Sequence, residues 1–185
     1  AIVFIAYPQC PDAIDCEGNT YAGIRIGCDC WTQRNLESTK YSDCTDIPDI
    51  MGYASLLHPD TAENIAIFGR LYTFEAAVRD SADNGHGHIQ GICPDGWAVA
   101  NEADFALLNA SAGGTELLKD LGTQYWLSGH EGTVPNTGFN ARANGHFNSE
   151  TWRYEDQLTG SYFWMPGTNT STFNSAVIQY YCNEG

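Results

Sequence analysis

The sequence predicts a loop-rich α+β fold of short antiparallel strands and two or three helices, stapled by disulfides. Composition carries the first part of that prediction, because 12% aromatic residues with 19 glycines suit many short strands joined by tight turns. The stretch Cys93-Pro94-Asp95-Gly96-Trp97-Ala98-Val99, followed at once by Asn101-Glu102-Ala103-Asp104-Phe105, carries the second. Pro94 and Gly96 make a turn, and Trp97 and Val99 are the bulky members of a short strand. Asn101 with Asp104 three positions later matches a capping box that opens a helix. Cysteine carries the third. Cys93 ahead of the turn and Cys182 after Tyr180-Tyr181 point to one bridge closing about half the molecule, worth ~4 to 5 kcal/mol in the chain-entropy model.

In chain order, Ala1-Ile2-Val3-Phe4-Ile5-Ala6-Tyr7 is a β-prone run ended by Pro8 and apolar on both alternating faces, which reads as a strand buried on both sides. Residues 1–14 form an N-terminal strand extension, and 15–185 form one domain. Cys10 to Cys16 brackets an acidic turn, Glu17-Gly18-Asn19 turns the chain into a strand from Tyr21 to Ile26, and Gly27 to Asp29 turns it again into Trp31. From Asn35 to Pro59 the chain is polar, proline-bearing loop, in which Cys44 is placed to tie back to Cys28 or Cys30. Asp60-Thr61-Ala62-Glu63 opens a core helix whose Phe68, Leu71, Tyr72 and Ala76 share one side.

The helix after Asn101 buries Phe105 and Leu108 and stops near Ala112-Gly113-Gly114, and a short one follows over Leu117, Leu118 and Leu121. Beyond it, Tyr125-Trp126-Leu127, Gly138-Phe139-Asn140, His146-Phe147, Trp152-Arg153-Tyr154, Tyr162-Phe163-Trp164-Met165 and Val177 to Cys182 read as short aromatic strands between turns. The chain shows no linker, low-complexity tract or internal repeat.

Cys-Pro-Asp-Gly-Trp-x-Val and a capped helix resemble the signature of the Fibrobacter succinogenes major paralogous domain family, secreted bacterial domains with a C-type-lectin-like fold. Glu17-Gly18-Asn19-Thr20-Tyr21 through Ile26-Gly27, then Trp31, Asn35-Leu36 and Thr39-Lys40-Tyr41, is similar to the family's opening hairpin and loop. Phe68-Gly69-Arg70-Leu71-Tyr72 with Ala76-Ala77 resembles its first helix, Thr137 to Ala141 its middle strand, and Gly160 to Trp164 its late aromatic strand. The resemblance runs from about Asp15 to Cys182 and implies a C-type-lectin-like α+β fold. It leaves out Ala1 to Ile14, and Cys16, Cys28, Cys30 and Cys44 lie outside its pattern.

A formal net charge of -15 from only 8 basic residues repels phosphate backbones and anionic membrane surfaces, which excludes nucleic acid as a partner. No stretch approaches a membrane span, and Ala1 to Tyr7 lacks the basic start of a signal peptide, so the chain reads as mature. Seven cysteines, Cys10, Cys16, Cys28, Cys30, Cys44, Cys93 and Cys182, read as the disulfide set of an exported, extracellular protein. Their odd number leaves at least one thiol free or joined to another chain.

For catalysis, no nucleophile motif, phosphate loop or metal-binding helix appears, and the chain reads as a non-enzyme with no cofactor. Cys28-x-Cys30 and His86-x-His88 lack the further ligands of a metal site at suitable spacing. The calcium-binding sugar motifs of C-type lectins are missing, and Val134-Pro135-Asn136 has no acidic ligand beside it. Calcium-independent stacking of sugars on Trp126, Trp152 and Tyr154 is the alternative function. The resemblance also points to a bacterial lineage that O-glycosylates Asp-Ser/Thr followed by a small residue, a pattern met at Thr61 and Ser81.

The function expected is that of an exported surface subunit whose Ile2, Val3, Phe4, Ile5 and Tyr7 complete a neighbouring copy. Two hosts suit that strand, the domain's own sheet and a groove in the next copy, and burying its side chains in either is worth up to ~8 to 12 kcal/mol. Head-to-tail donation of a strand generates a pilus-like filament.

Overall fold

The computed structural model describes residues 9–48, 62–79, 88–148, 150–166 and, for its backbone, 178–180. The hairpin of β1 (Ala13–Ile14) and β2 (Thr20–Tyr21) leads into β3 (Gly23–Ile26) and β4 (Asp29–Thr32). Helices α1 (Ala62–Phe68) and α2 (Phe74–Val78) follow, then β5 (Ala98–Val99), α3 (Glu102–Ala112) and a 3-10 turn at Thr115–Leu117. A second hairpin, β6 (His146–Asn148) with β7 (Arg153–Glu155), precedes β8 (Ile178–Tyr180). The α+β prediction therefore stands.

The central sheet is antiparallel, in the order β3-β4-β8-β5, so the strand nearest the end of the chain is inserted between two earlier ones. Ile24 pairs with Trp31 and Arg25 with Cys30 across the β3–β4 hairpin. Alternation along β4 divides the core in two. Cys30 packs with Tyr21, Leu36, Tyr72, Cys93 and Val99 on one face, while Trp31 packs with Ile26, Leu108, Leu118 and Phe139 on the other. Ala13, from the first hairpin, joins the Cys30 side.

That first hairpin is fixed by a buried carboxylate. Asp15, only 7% exposed, accepts hydrogen bonds from the backbone N–H of Glu17 at 3.0 Å and of Asn19 at 2.9 Å. The Asn19 amide, the Tyr21 hydroxyl at 2.8 Å and the Ser38 hydroxyl also donate to it. Burial by itself raises the Asp15 pKa, yet the donors from Ser38, Asn19 and Tyr21 outweigh it, and the carboxyl is held below its ordinary value.

The strand at Trp97 to Val99 and the capping box appear as expected. The Asn101 side chain accepts from the N–H groups of Ala103 and Asp104, while the Asp104 carboxylate accepts from Asn101 N–H at 2.7 Å. Gly113, at φ 87°, closes α3 in the left-handed conformation.

The single core helix expected after Asp60 is instead two short ones. Gly69, at φ +76°, ends α1, and a Cβ there would lie 2.4 Å from the Asn35 Cβ. Asn35 donates to the Phe68 carbonyl, Arg70 N–H donates to the Leu36 carbonyl, and Thr73 caps α2. The apolar stripe is still buried: Phe68, Leu71, Tyr72 and Ala76 are each under 5% exposed.

Three further stretches read as strands, Tyr125 to Leu127, Gly138 to Asn140 and Tyr162 to Met165, are irregular backbone. Their aromatic side chains hold them by other contacts. Trp126 donates its indole N–H to the Ala141 carbonyl at 2.9 Å and Trp164 donates to the Tyr72 carbonyl at 2.9 Å. The short helix expected over Leu117, Leu118 and Leu121 shrinks to the 3-10 turn, leaving Leu121 44% exposed.

Two disulfides form among the described residues, Cys10–Cys30 and Cys16–Cys44. The tie expected from Cys44 to Cys28 or Cys30 is thus replaced. Residues 10–11 run against the start of β3, where a Cβ on Gly23 would meet the Pro11 carbonyl and the Cys10 Cβ, and this delivers Cys10 to Cys30. Cys28 sits exposed at the β3–β4 turn, unbonded to any described cysteine. The Cys93 thiol is buried and unbonded to any described cysteine, and burial pushes its pKa well up. Its expected partner Cys182 lies outside the described residues, as do Ile2, Val3, Phe4, Ile5, Tyr7, Thr61 and Ser81.

Candidate functional site

The α3 side of the central sheet carries a cleft of about 520 Å³. Phe105 and Leu108 of α3, Leu118, Trp126 and Phe139, and Ser161 with Phe163 line it. Four aromatic rings, three of which line the cleft, form a closed set of contacts. Trp31 lies 5.6 Å from Phe105 and 5.8 Å from Phe139, and Phe163 lies 5.5 Å from Phe105 and 6.1 Å from Phe139. Such tilted and edge-on pairs add ~0.5–1.5 kcal/mol each beyond simple burial, which makes this a firm lining.

Short connections hold the lining in place. Ala141 N–H donates to the Leu118 carbonyl at 2.9 Å, Asp120 N–H donates to the Ala141 carbonyl at 2.9 Å, and Thr137 donates its hydroxyl to the Leu117 carbonyl. The Lys119 ammonium lies 4.9 Å over the Trp126 ring and is drawn off by Glu116 at 2.9 Å. The cleft is thus apolar within, with Glu102, Asn109 and Thr115 exposed at its mouth.

A second feature is the hairpin β6–β7. Phe147 stands opposite Tyr154, with ring centroids 5.1 Å apart, and Trp152 closes edge-on to Phe147 at 5.9 Å. Trp152 is 78% exposed and adopts φ 53° in the turn. Around it, Asn148 and Thr151 donate to the Glu155 carboxylate and keep its pKa below the ordinary value.

The three aromatic residues singled out for sugar stacking therefore fall in three environments. Trp126 is 2% exposed in the cleft lining, Tyr154 is half-buried against Phe147, and Trp152 alone stands out into solvent. His88, read as a loop histidine, lies 3.2 Å from Asp104 at the start of α3. Among the described residues no group of three or more His, Cys, Asp or Glu side chains is close enough to hold a metal ion, and no helix is long and apolar enough to cross a membrane. Sequence reasoning named Phe105, Leu108, Leu118, Phe139 and Phe163 as core or strand residues and missed the cleft they enclose. Its lining comes from stretches far apart in the chain, and no local pattern marks them.

The family model of the Fibrobacter succinogenes major domain matches residues 24–184, nearly the whole of this architecture. The chain belongs to that family. The match begins within β3, after the β1–β2 hairpin and the apolar N-terminal run, and covers every later element and all the residues that line the cleft. No curated protein and no solved structure matches the chain. Ala1 to Gly23 lies outside the residues matched to the Fibrobacter succinogenes major domain.

Proposed function

We propose that this chain is a non-catalytic, exported structural subunit of C-type-lectin-like fold, and that copies of it assemble head to tail into a pilus-like filament. The observation that carries the reading is the N-terminal run Ala1 to Tyr7. It is apolar on both alternating faces and lies outside the matched family region. Exposed, such a run is an aggregation hazard, and the economical resolution is burial in another copy. Each copy then both gives and receives one strand, so the contact is open-ended and grows into a fibre unless its rotation closes a ring. The two disulfides suit an oxidising compartment and support an extracellular location. Deleting Ala1 to Pro8 tests the reading. Size exclusion and electron microscopy are expected to show a folded monomer from the deleted chain and fibres from the full one. Fibres from both, or monomers from both, would contradict it.

Trp152 favours a second reading, carbohydrate binding without metal. An exposed indole backed by Phe147 is a stacking platform for a sugar ring. Binding to a glycan array that disappears in Trp152→Ala is the expected result under this reading, and a blank array removes it.

A further inference from the structure

We propose that the cleft on the α3 side of the sheet binds a small, neutral, hydrocarbon-like ring compound, an activity separate from assembly and from sugar stacking on Trp152. Three observations select that class of ligand. First, its volume of about 520 Å³ lies within the ~300–1,000 Å³ of sites that hold small molecules. Phe105, Leu108, Leu118, Phe139, Phe163 and Met165 give it an apolar interior.

Second, the lining is set before any guest arrives. Phe163 touches Phe105 at 5.5 Å and Phe139 at 6.1 Å, and the fully buried Trp31 touches both of those rings in turn. Rings held by one another lose little further freedom on binding, and a flat apolar guest finds continuous aromatic surface to lie against.

Third, the polar groups around the cleft are already engaged within the protein. The backbone of α3 is bonded along the helix. Trp126 donates its indole N–H to the Ala141 carbonyl, and Ala141 N–H donates to the Leu118 carbonyl. Gly160 N–H donates to the Asp156 carbonyl, and the Gly160 carbonyl accepts from Gly145. Lys119 donates to the Glu116 carboxylate and the His130 carbonyl. A sugar or a peptide strand entering here would bury hydroxyls or backbone amides beside groups that have no capacity left for them, and each unpaired one weakens binding. The buried Ser161 hydroxyl is without a partner and leaves room for one polar group on the guest. A net charge of -15, with Glu102 at the cleft, disfavours an anion. What remains is a ring compound whose binding comes from apolar contact.

The test titrates phenylnaphthylamine, a neutral fluorophore that brightens in apolar surroundings, into the full chain. One saturable site per chain is expected, together with a shift of the Met165 methyl resonance, identified as the signal lost in Met165→Leu. Ala106 is exposed and lines the cleft, so Ala106→Arg puts bulk and charge at its mouth without touching the core. It is expected to weaken binding at least tenfold with circular dichroism and melting temperature unchanged. Fluorescence that rises without saturating, a Met165 methyl that does not move, or equal binding by Ala106→Arg overturns the site. Each of these results leaves head-to-tail assembly standing, because assembly is read separately by size exclusion and microscopy.

Discussion

Asp15 is the residue on which the start of the fold depends. It is a buried carboxylate satisfied by five donors, and removing it leaves the Ser38 and Tyr21 hydroxyls and two backbone N–H groups without an acceptor. Asp15→Ala is expected to destabilise by about 2–3 kcal/mol in urea titration, well beyond an exposed acidic residue such as Glu150. Its pH dependence has a definite sign. The folded-state pKa lies below that of the unfolded chain, so the contribution is complete above about pH 4 and is lost as pH falls through the lowered value. The wild-type chain should therefore lose part of its stability in that acid window, and Asp15→Ala should lose less. Equal acid sensitivity of the two would show that Asp15 does not carry this term. Tyr21 moves in the other direction: burial first, then the neighbouring Asp15 carboxylate, raises its pKa, so its phenol stays a donor throughout.

At the scale of elements, Asn101→Ala removes the acceptor for two N–H groups at the start of α3 and is expected to cost about 1–2 kcal/mol, with the 98–99 strand left in place. That cap was legible in the sequence because it is local: Asn101 and Asp104 are three residues apart and satisfy each other. The same is true of the β3–β4 hairpin, turned at Gly27. What was not legible depended on distant partners. The break between α1 and α2 answers to Asn35 and Leu36, which lie over thirty residues upstream of Gly69. Trp126 and Phe139 were read as strand residues, but apolar pattern reports burial and says little about whether the backbone beneath it pairs. Both are buried on irregular backbone, and the cleft they line is built from four separated stretches. The pairing of Cys93 with Cys182 remains a proposal with structural support. Strand β8 ends at Tyr180, two residues before Cys182, and its partner β5 begins five residues after the buried Cys93. Non-reducing peptide mapping is expected to recover those two peptides joined, and Cys93 bonded elsewhere would contradict the pairing.

For the whole molecule, the net charge of -15 makes every copy repel the next, so the head-to-tail joint proposed above works against electrostatics. Raising ionic strength screens that repulsion and is expected to lengthen filaments, the reverse of what an assembly driven by salt bridges shows. Light scattering across a salt series distinguishes the two. The central claim is that one N-terminal strand completes the next copy, and a free peptide of Ala1 to Pro8 tests it most directly. Added in excess to the full chain during assembly, the peptide occupies acceptor sites and caps growth. Scattering should fall with peptide concentration towards short oligomers, while a peptide of scrambled order leaves the filaments unchanged. Filaments that grow to full length in saturating peptide would contradict the account.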